Sequence, residues 1–381
     1  MDDSEFLAVG GGLAGAAFAL ELARSGRDVV ILEGTRGPHH KVCGEFLSNE
    51  AQRILTYLTL DMEAMGASSI STLRLVSGEV EATVPLPFAA AGLSRYRLDA
   101  ELLKAAAHFG ATVEYGASVT RLDLSQDGKV CAVTADGKAY RARIAALATG
   151  KYAMKGISRP PRDNVAFKMQ LAVTGDVQQR LNGLVQLMMF DDGYIGACLV
   201  EDGIMTLCWV MKNRLLKHIG STWSAQAAFF SGLSTSLCSL LRDAVPLYEK
   251  PVAVASIPYG FLRTSLIAPN VLPIGDQMAV IPSYTGDGQA IALFSGVAAA
   301  QSVLAGRDAA EFQANMIRRL KPQFRWANTV NLLFERRFGQ RVALATAARL
   351  PSVVTQIARS TRLKHFEDVI AAERLRRTHP T

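Results

Sequence analysis

Residues 6–33 read FLAVGGGLAGAAFALELARSGRDVVILE, and the spacing within them decides the fold. An apolar run at 6–9 has the composition of a buried strand and runs into Gly10-x-Gly12-x-x-Gly15. A small-residue helix follows over 16–24, then a turn at Gly26, a second apolar strand at 29–32, and Glu33 at its end. The three glycines differ in what they permit. Gly10 allows the tight turn, Gly12 lets the backbone approach a pyrophosphate, and Gly15 lets helix and strand pack closely. Leu13 and Ala14, between the last two glycines, are assigned to the cofactor with them, and the helix that follows turns its free N–H groups and positive dipole end to the phosphates. Glu33 is placed to accept hydrogen bonds from ribose hydroxyls. The unit reads as a dinucleotide site and leaves open which dinucleotide.

A second stretch narrows that choice. Residues 271–296 read VLPIGDQMAVIPSYTGDGQAIALFSG: an apolar strand, the turn Gly275-Asp276, then Pro282, Gly286 and Gly288 opening another small-residue helix. A strand, a turn with one acid and a glycine-rich helix start make a second anion-friendly site. Two such sites in one chain imply a ligand long enough to touch both.

Together these stretches resemble the FAD-dependent superfamily of geranylgeranyl reductases, aromatic hydroxylases and flavin-dependent halogenases. The resemblance implies that Asp276 binds the ribityl chain of FAD and that the helix after Gly286 and Gly288 points at the N1–C2=O edge of the flavin. Residues 92–122, GLSRYRLDAELLKAAAHFGATVEYGASVTRL, are similar to the family's R-x-x-[FL]-D segment, which places Arg95 near the cofactor and the backbone of Val119 near adenine. For Arg95 the competing reading is a salt bridge to Asp99. The loop HKVCGEFLS, residues 40–48, carries Cys43-Gly44, as the reductases do, and Gly44-Glu45, as halogenases often do. Lys41, Cys43 and Gly44 are accordingly assigned to the cofactor. Cys43 and Glu45 are the candidate catalytic groups, weighed against packing for the thiol and backbone contacts for the carboxylate. His39 and His40 read either as phosphate contacts or as solvated loop histidines.

The implied fold is α/β: a Rossmann-like FAD-binding domain with an inserted antiparallel β-sheet substrate domain and a C-terminal helical segment. The boundaries expected are 1–70, 92–160 and 262–308 for the FAD domain, 71–91 and 161–261 for the sheet, and 309–381 for the basic helical region. Within the sheet, Tyr194, Trp209 and Tyr259 are the aromatic candidates for a substrate pocket. Few charged residues fall among the apolar ones there, which favours a hydrophobic or aromatic small molecule.

The sequence departs from the hydroxylases at two places. Thr149-Gly150 stands where they usually carry a DG pair, and Gln277 follows Gly275-Asp276 where alanine is usual. Direct use of NADPH is therefore in doubt, and the electron donor is left as NADPH, reduced flavin or the substrate itself. The halogenase WxWxIP segment does not occur between 190 and 213. On balance the sequence favours monooxygenation narrowly, with double-bond reduction or dehydrogenation as the alternative and a non-catalytic flavin-binding accessory protein as a third reading.

Bulk composition agrees with an enzyme of this size. The chain has 381 residues, 49% hydrophobic and 20% charged, enough for a large core. Five scattered cysteines without CxxC spacing give neither a disulfide framework nor a metal site, and a cytoplasmic location is expected. The first apolar run leads into a glycine turn and reads as a strand rather than a signal peptide. The uncharged run 288–306 reads as a buried helix. Net charge is +7, but residues 307–381 hold fifteen Lys/Arg against six Asp/Glu, so the basic excess is all in this tail. A solvated helical face is the plain reading of the tail; contact with an anionic membrane surface or an acidic carrier protein is the functional one, and no nucleic-acid motif accompanies the charge.

Overall fold

The computed structural model describes residues 2–125, 127–334, 337–364 and 366–371. The opening pattern folds as its spacing requires. Strand Asp2–Val9 lies parallel to Val29–Glu33, which pairs in turn with Thr112–Tyr115; on its other edge Asp2–Val9 lies parallel to Ala139–Leu147. The far edge of Ala139–Leu147 is shared. Its first half pairs antiparallel with Val130–Thr134 and its last residues pair parallel with Val271–Pro273. The second glycine motif therefore arrives on the same sheet as the first, far away in sequence yet beside it in space.

Two small-residue helices seal one face of this sheet. Leu13–Arg24 is buried at every residue but Arg24, and Gly288–Leu304 crosses it. Close approach explains the composition: a Cβ on Gly296 would overlap the carbonyl of Ala14, and one on Gly15 would overlap the carbonyl of Gly10. Around them Phe18, Leu20, Leu22, Phe294 and Val297 are fully buried, each contributing about 1.5–3 kcal/mol of hydrophobic stabilisation. Among the described residues, no helix is long and apolar enough to cross a membrane.

The second sheet follows the order Val245–Pro246, Val165–Ala172, Met205–Met211, Gly193–Leu199, Gly183–Phe190, Ser68–Ser77, Val80–Gly92, Phe46–Leu47, with Val252–Ala255 also paired to Val165–Ala172. Its pairs are antiparallel as expected except one: Gly183–Phe190 runs parallel to Ser68–Ser77. One face packs Phe167, Met169, Leu207, Trp209 and Ile195 against Phe230, Leu237 and Leu240 of the short helices Trp223–Ser231 and Thr235–Leu241. The sequence pattern assigns these two segments to the sheet, and the structure corrects it. They are seven to nine residues long, too short to show a clear period or to stand alone, and packing on the sheet holds them. Their caps are the available signal: the hydroxyls of Thr222 and Ser234 accept from the N–H of Ala225 and Leu237.

The opposite face of the second sheet meets the C-terminal ends of the first and, further out, the C-terminal helices. There Leu344 and Ala347 of helix Arg337–Arg349 and Val354 of helix Pro351–Ser360 pack on Leu75, Val84 and Met189. Residues 372–381 of the basic tail lie outside the described residues.

Candidate active site

A cavity of about 620 Å³ lies where the two sheets face each other. Its walls take Gly10, Gly12, Leu13, Ala14, Glu33, Lys41, Cys43, Gly44, Arg95, Val119, Gly275, Asp276, Gly286 and Gly288 from the cofactor motifs. Gly15 and Pro282 stand behind the wall: the first lets the helix start sit against the strand, and the second, buried, begins the turn Ser283–Thr285.

Charge at the glycine turn is pre-arranged. Arg95 holds Asp99 through two hydrogen bonds of 2.7 and 2.9 Å, and Lys41 Nζ sits 2.8 Å from the same carboxylate. Burial pushes the Asp99 carboxyl upward, but the two cations outweigh it and hold it at about 2. A Cβ on Gly12 would lie 3.6 Å from Arg95 Nη2 and 3.7 Å from Lys41 Nζ. The space that glycine leaves open is thus faced by two cations and a helix N-terminus. The salt bridge of Arg95 to Asp99 and its place at the cofactor turn hold together: the aspartate orients the guanidinium.

Glu33 accepts from Gly11 N–H at 2.9 Å and from both the N–H and hydroxyl of Thr35, at 3.0 and 2.9 Å, which fixes its carboxylate at the cavity edge. At the other motif Asp276 pairs with Lys151 at 3.1 Å. Burial lowers the pKa of that ammonium, and Asp276 more than reverses the effect, keeping Lys151 charged. Sequence reasoning misses Lys151, whose one signal is its place directly after Thr149-Gly150. The side chain of Gln277 donates to Thr149 Oγ1 at 2.7 Å and to the carbonyls of Gly150 and Tyr152 at 3.0 and 2.9 Å. The two departures from the hydroxylase pattern are therefore bonded partners.

No family model matches the chain. It is 27% identical over 331 residues to a menaquinone reductase of Mycobacterium tuberculosis, covering 83% of this chain and 80% of that protein. It is 26% identical over 329 residues to digeranylgeranylglycerophospholipid reductase 2 of Methanosphaera stadtmanae, covering 80% of each. Its fold superposes on the halogenase PltM, solved with phloroglucinol and FAD, with a TM-score of 0.73 at 15% identity over 96% of this chain and 85% of that one. In sequence the chain is similar to these reductases and in fold to flavin-dependent halogenases, the same superfamily its motifs resemble.

The residues present fit FAD. A polyanion finds Arg95, Lys41 and the helix start at Gly12, a ribose finds Glu33, and polyol hydroxyls find Asp276, all on one continuous cavity. The first turn of helix Gly288–Leu304 opens onto the same space through Gly286, Gly288 and Gln289. Its N-cap, Asp287, turns away and is fully buried against Ser48, Gln323 and Arg362, where burial raises its carboxyl to about 6 despite the arginine.

The loop 43–46 fastens the glycine-motif half of the cavity to the sheet. Glu45 lines the cavity wall with a backbone in the left-handed region, φ 57°, and no exposed surface. Its carboxylate takes the Arg95 N–H at 2.8 Å, the Gln170 amide at 2.9 Å and the fully buried Lys168 ammonium. Of the two readings offered for Glu45, the backbone contact is present; the buried lysine opposite it has no counterpart in the sequence reading. Cys43 faces the cavity, and its sulfur accepts the Glu45 N–H at 3.4 Å. His39 lines the cavity and bonds Thr35 Oγ1 at 2.9 Å, while His40 stacks between Tyr96 and Tyr248 with centroids 5.1 and 4.8 Å away and is not solvated as a loop histidine would be.

The aromatic candidates separate. Tyr259 lines the cavity, and its hydroxyl accepts from Ser283 at 2.9 Å; burial raises it to about 12. Tyr194 stands one layer behind, hydrogen-bonded to Ser283 and edge-on to Tyr284. Trp209 is a correction: it is fully buried on the opposite face of the sheet, stacked on Phe167 with its indole N–H on Gln226. Strand alternation is the reason, since its neighbour Cys208 is the one that faces the cavity. Ala166, Cys208, Val254 and Val280 complete an apolar wall, and burial raises the Cys208 thiol to about 12.

Proposed function

We propose that the chain is an FAD-dependent reductase of carbon–carbon double bonds in an apolar, polyprenyl-type small molecule. One observation carries this reading: the substrate side of the cavity presents protonated neutral donors, while the carboxylates on its wall are engaged. Glu33 is held by Thr35 and Gly11, Glu45 by Lys168 and Gln170, and Asp276 by Lys151. Tyr259 and Cys208, both raised to about 12, keep their protons at neutral pH, and Cys43 stands beside them.

FAD, when bound, supplies a hydride equivalent, drawn from an external two-electron donor, to one carbon of the double bond. The other carbon needs a proton, which a wall thiol or phenol delivers and recovers from solvent. Ala166, Val254 and Val280 form the apolar wall against which the alkene would lie. Two relatives matched over most of their length bear the names of reductases, which supports the same direction.

Monooxygenation, favoured narrowly by sequence, also suits an apolar wall, but hydroxylating a phenol calls for a base free to take its proton. Anaerobic turnover separates the two. The FAD-loaded protein, supplied with a chemical reductant and a polyprenyl substrate, should yield a product heavier by two hydrogens without oxygen. Product that appears only in air, carrying an added oxygen atom, overturns the proposal.

A further inference from the structure

We infer that the outer faces of the C-terminal helices dock the protein on an anionic lipid surface, beside the aromatic corner of the cavity. The inference rests on the apolar-substrate reading above for its purpose, but not for its geometry.

The charge pattern comes first. Residues 312–364 contain eleven Lys or Arg and a single acid, Glu335. On helix Ala309–Phe334, Arg318, Lys321 and Arg325 are exposed at steps of three and four, so they share one face, and Trp326 is 56% exposed next to Arg325. On helix Arg337–Arg349, Arg341, Val342, Ala345, Ala348 and Arg349 are exposed along one side, while Leu344 and Ala347 on the other pack on the sheet. Leu350, at the joint, is 56% exposed, and Val353 and Arg359 continue the pattern on helix Pro351–Ser360.

The apolar side chains are interleaved singly with arginines rather than gathered into a groove. A protein partner would be met by a continuous apolar patch; a headgroup layer is met by cations with an aromatic ring and aliphatic tips among them. Trp326 has the shape and polarity of a side chain that rests at such an interface. Among the described residues no helix is long and apolar enough to span the bilayer, so the face lies on the surface.

Position gives the face its purpose. Immediately after Trp326, the Ala327 carbonyl accepts the Tyr284 hydroxyl at 2.6 Å, and Asn328 closes against Gly260. Tyr284 packs on Tyr194, and Ser283 and Tyr259 beside them line the cavity. One turn of helix thus touches lipid-facing space on one side and the substrate corner on the other. An apolar substrate dissolved in the membrane would be delivered next to the wall that receives it.

The test uses the full-length FAD-loaded protein without substrate, floated with vesicles of phosphatidylcholine alone or of phosphatidylcholine and phosphatidylglycerol. Binding to the anionic vesicles should exceed binding to the neutral ones roughly tenfold and fall as salt is raised. The Arg325→Glu/Trp326→Ala variant should lose most of that binding while keeping its FAD content and melting temperature. Equal binding to both vesicles, no binding, or binding unchanged in the variant overturns the inference, as does self-association through this face in place of vesicle binding. Because no turnover is measured, a failure here is distinct from failure of the reductase reading.

Discussion

The two halves of the cavity are built on opposite principles. The cofactor half is charged but paired: Asp99 with Arg95 and Lys41, Asp276 with Lys151, Glu33 with the Gly11 N–H of the glycine turn and with Thr35. The substrate half, with Ala166, Val254, Val280, Cys208 and Tyr259, is largely apolar, and the carboxylate on its wall, Glu45, is paired with the fully buried Lys168 behind it. An anionic ligand is met by groups already held in place, whereas an apolar one is met by shape. The seam between the halves is where a buried charge is most costly and most informative.

The largest effect should fall on that seam. Lys168→Met leaves the Glu45 carboxylate buried without its cation and should destabilise the protein by about 3–5 kcal/mol in urea denaturation, with much of the loss recovered in Glu45→Gln/Lys168→Met. A single variant as stable as the parent would mean that the pair does not join the halves. Next comes the cofactor half itself: Gly12→Val and Asp276→Ala should each weaken FAD binding about a hundredfold, read from the flavin absorbance retained through purification. If both stay stoichiometrically loaded, the division of the cavity is wrong.

Two buried aspartates sharpen the contrast by titrating in opposite senses. Asp99 is held below its unfolded value of 3.8, so its stabilisation is present above that pH and is lost as pH falls from about 4 towards 2. Asp287 is held above 3.8, at about 6, so its contribution is greatest below 4 and is lost as pH rises through 6. Each is worth about 2–3 kcal/mol by the size of its shift. Denaturation midpoints across pH should show Asp99→Asn flattening the lower window and Asp287→Asn the upper. The smallest change expected is on the substrate side: Cys43→Ala should keep FAD and lower turnover about tenfold, the loss of one proton donor among several. Unchanged turnover would leave Cys43 as packing beside the cofactor.

The same contrast explains what can be read in advance. The cofactor half is written in short local spacings, so Gly12, Glu33, Asp276 and Gly288 are found from a strand, a turn and a helix start, and all of them reach the cavity. Arg95 needs the family resemblance, because only the fold brings it over Gly12. The substrate half depends on strand parity. Trp209 and Cys208 are adjacent, and choosing the larger residue chooses the wrong face. Lys168 is hidden for another reason: its partner Glu45 lies 123 residues away, and nothing near position 168 shows that the charge is buried. The short helices behind the sheet escape because tertiary packing, rather than their own period, makes them.

The bond between Gln277 and the Thr149–Tyr152 turn gives the two departures from the hydroxylase pattern a common meaning. They are one change written in two places. An engineer who restored only the DG pair at 149–150 would leave a glutamine without the hydroxyl it was fitted to, and one who restored only the alanine would leave a turn without its clasp. Grafting the hydroxylase turn onto this scaffold is therefore a matter of exchanging both positions together, and either exchange alone should be tolerated less well than the pair.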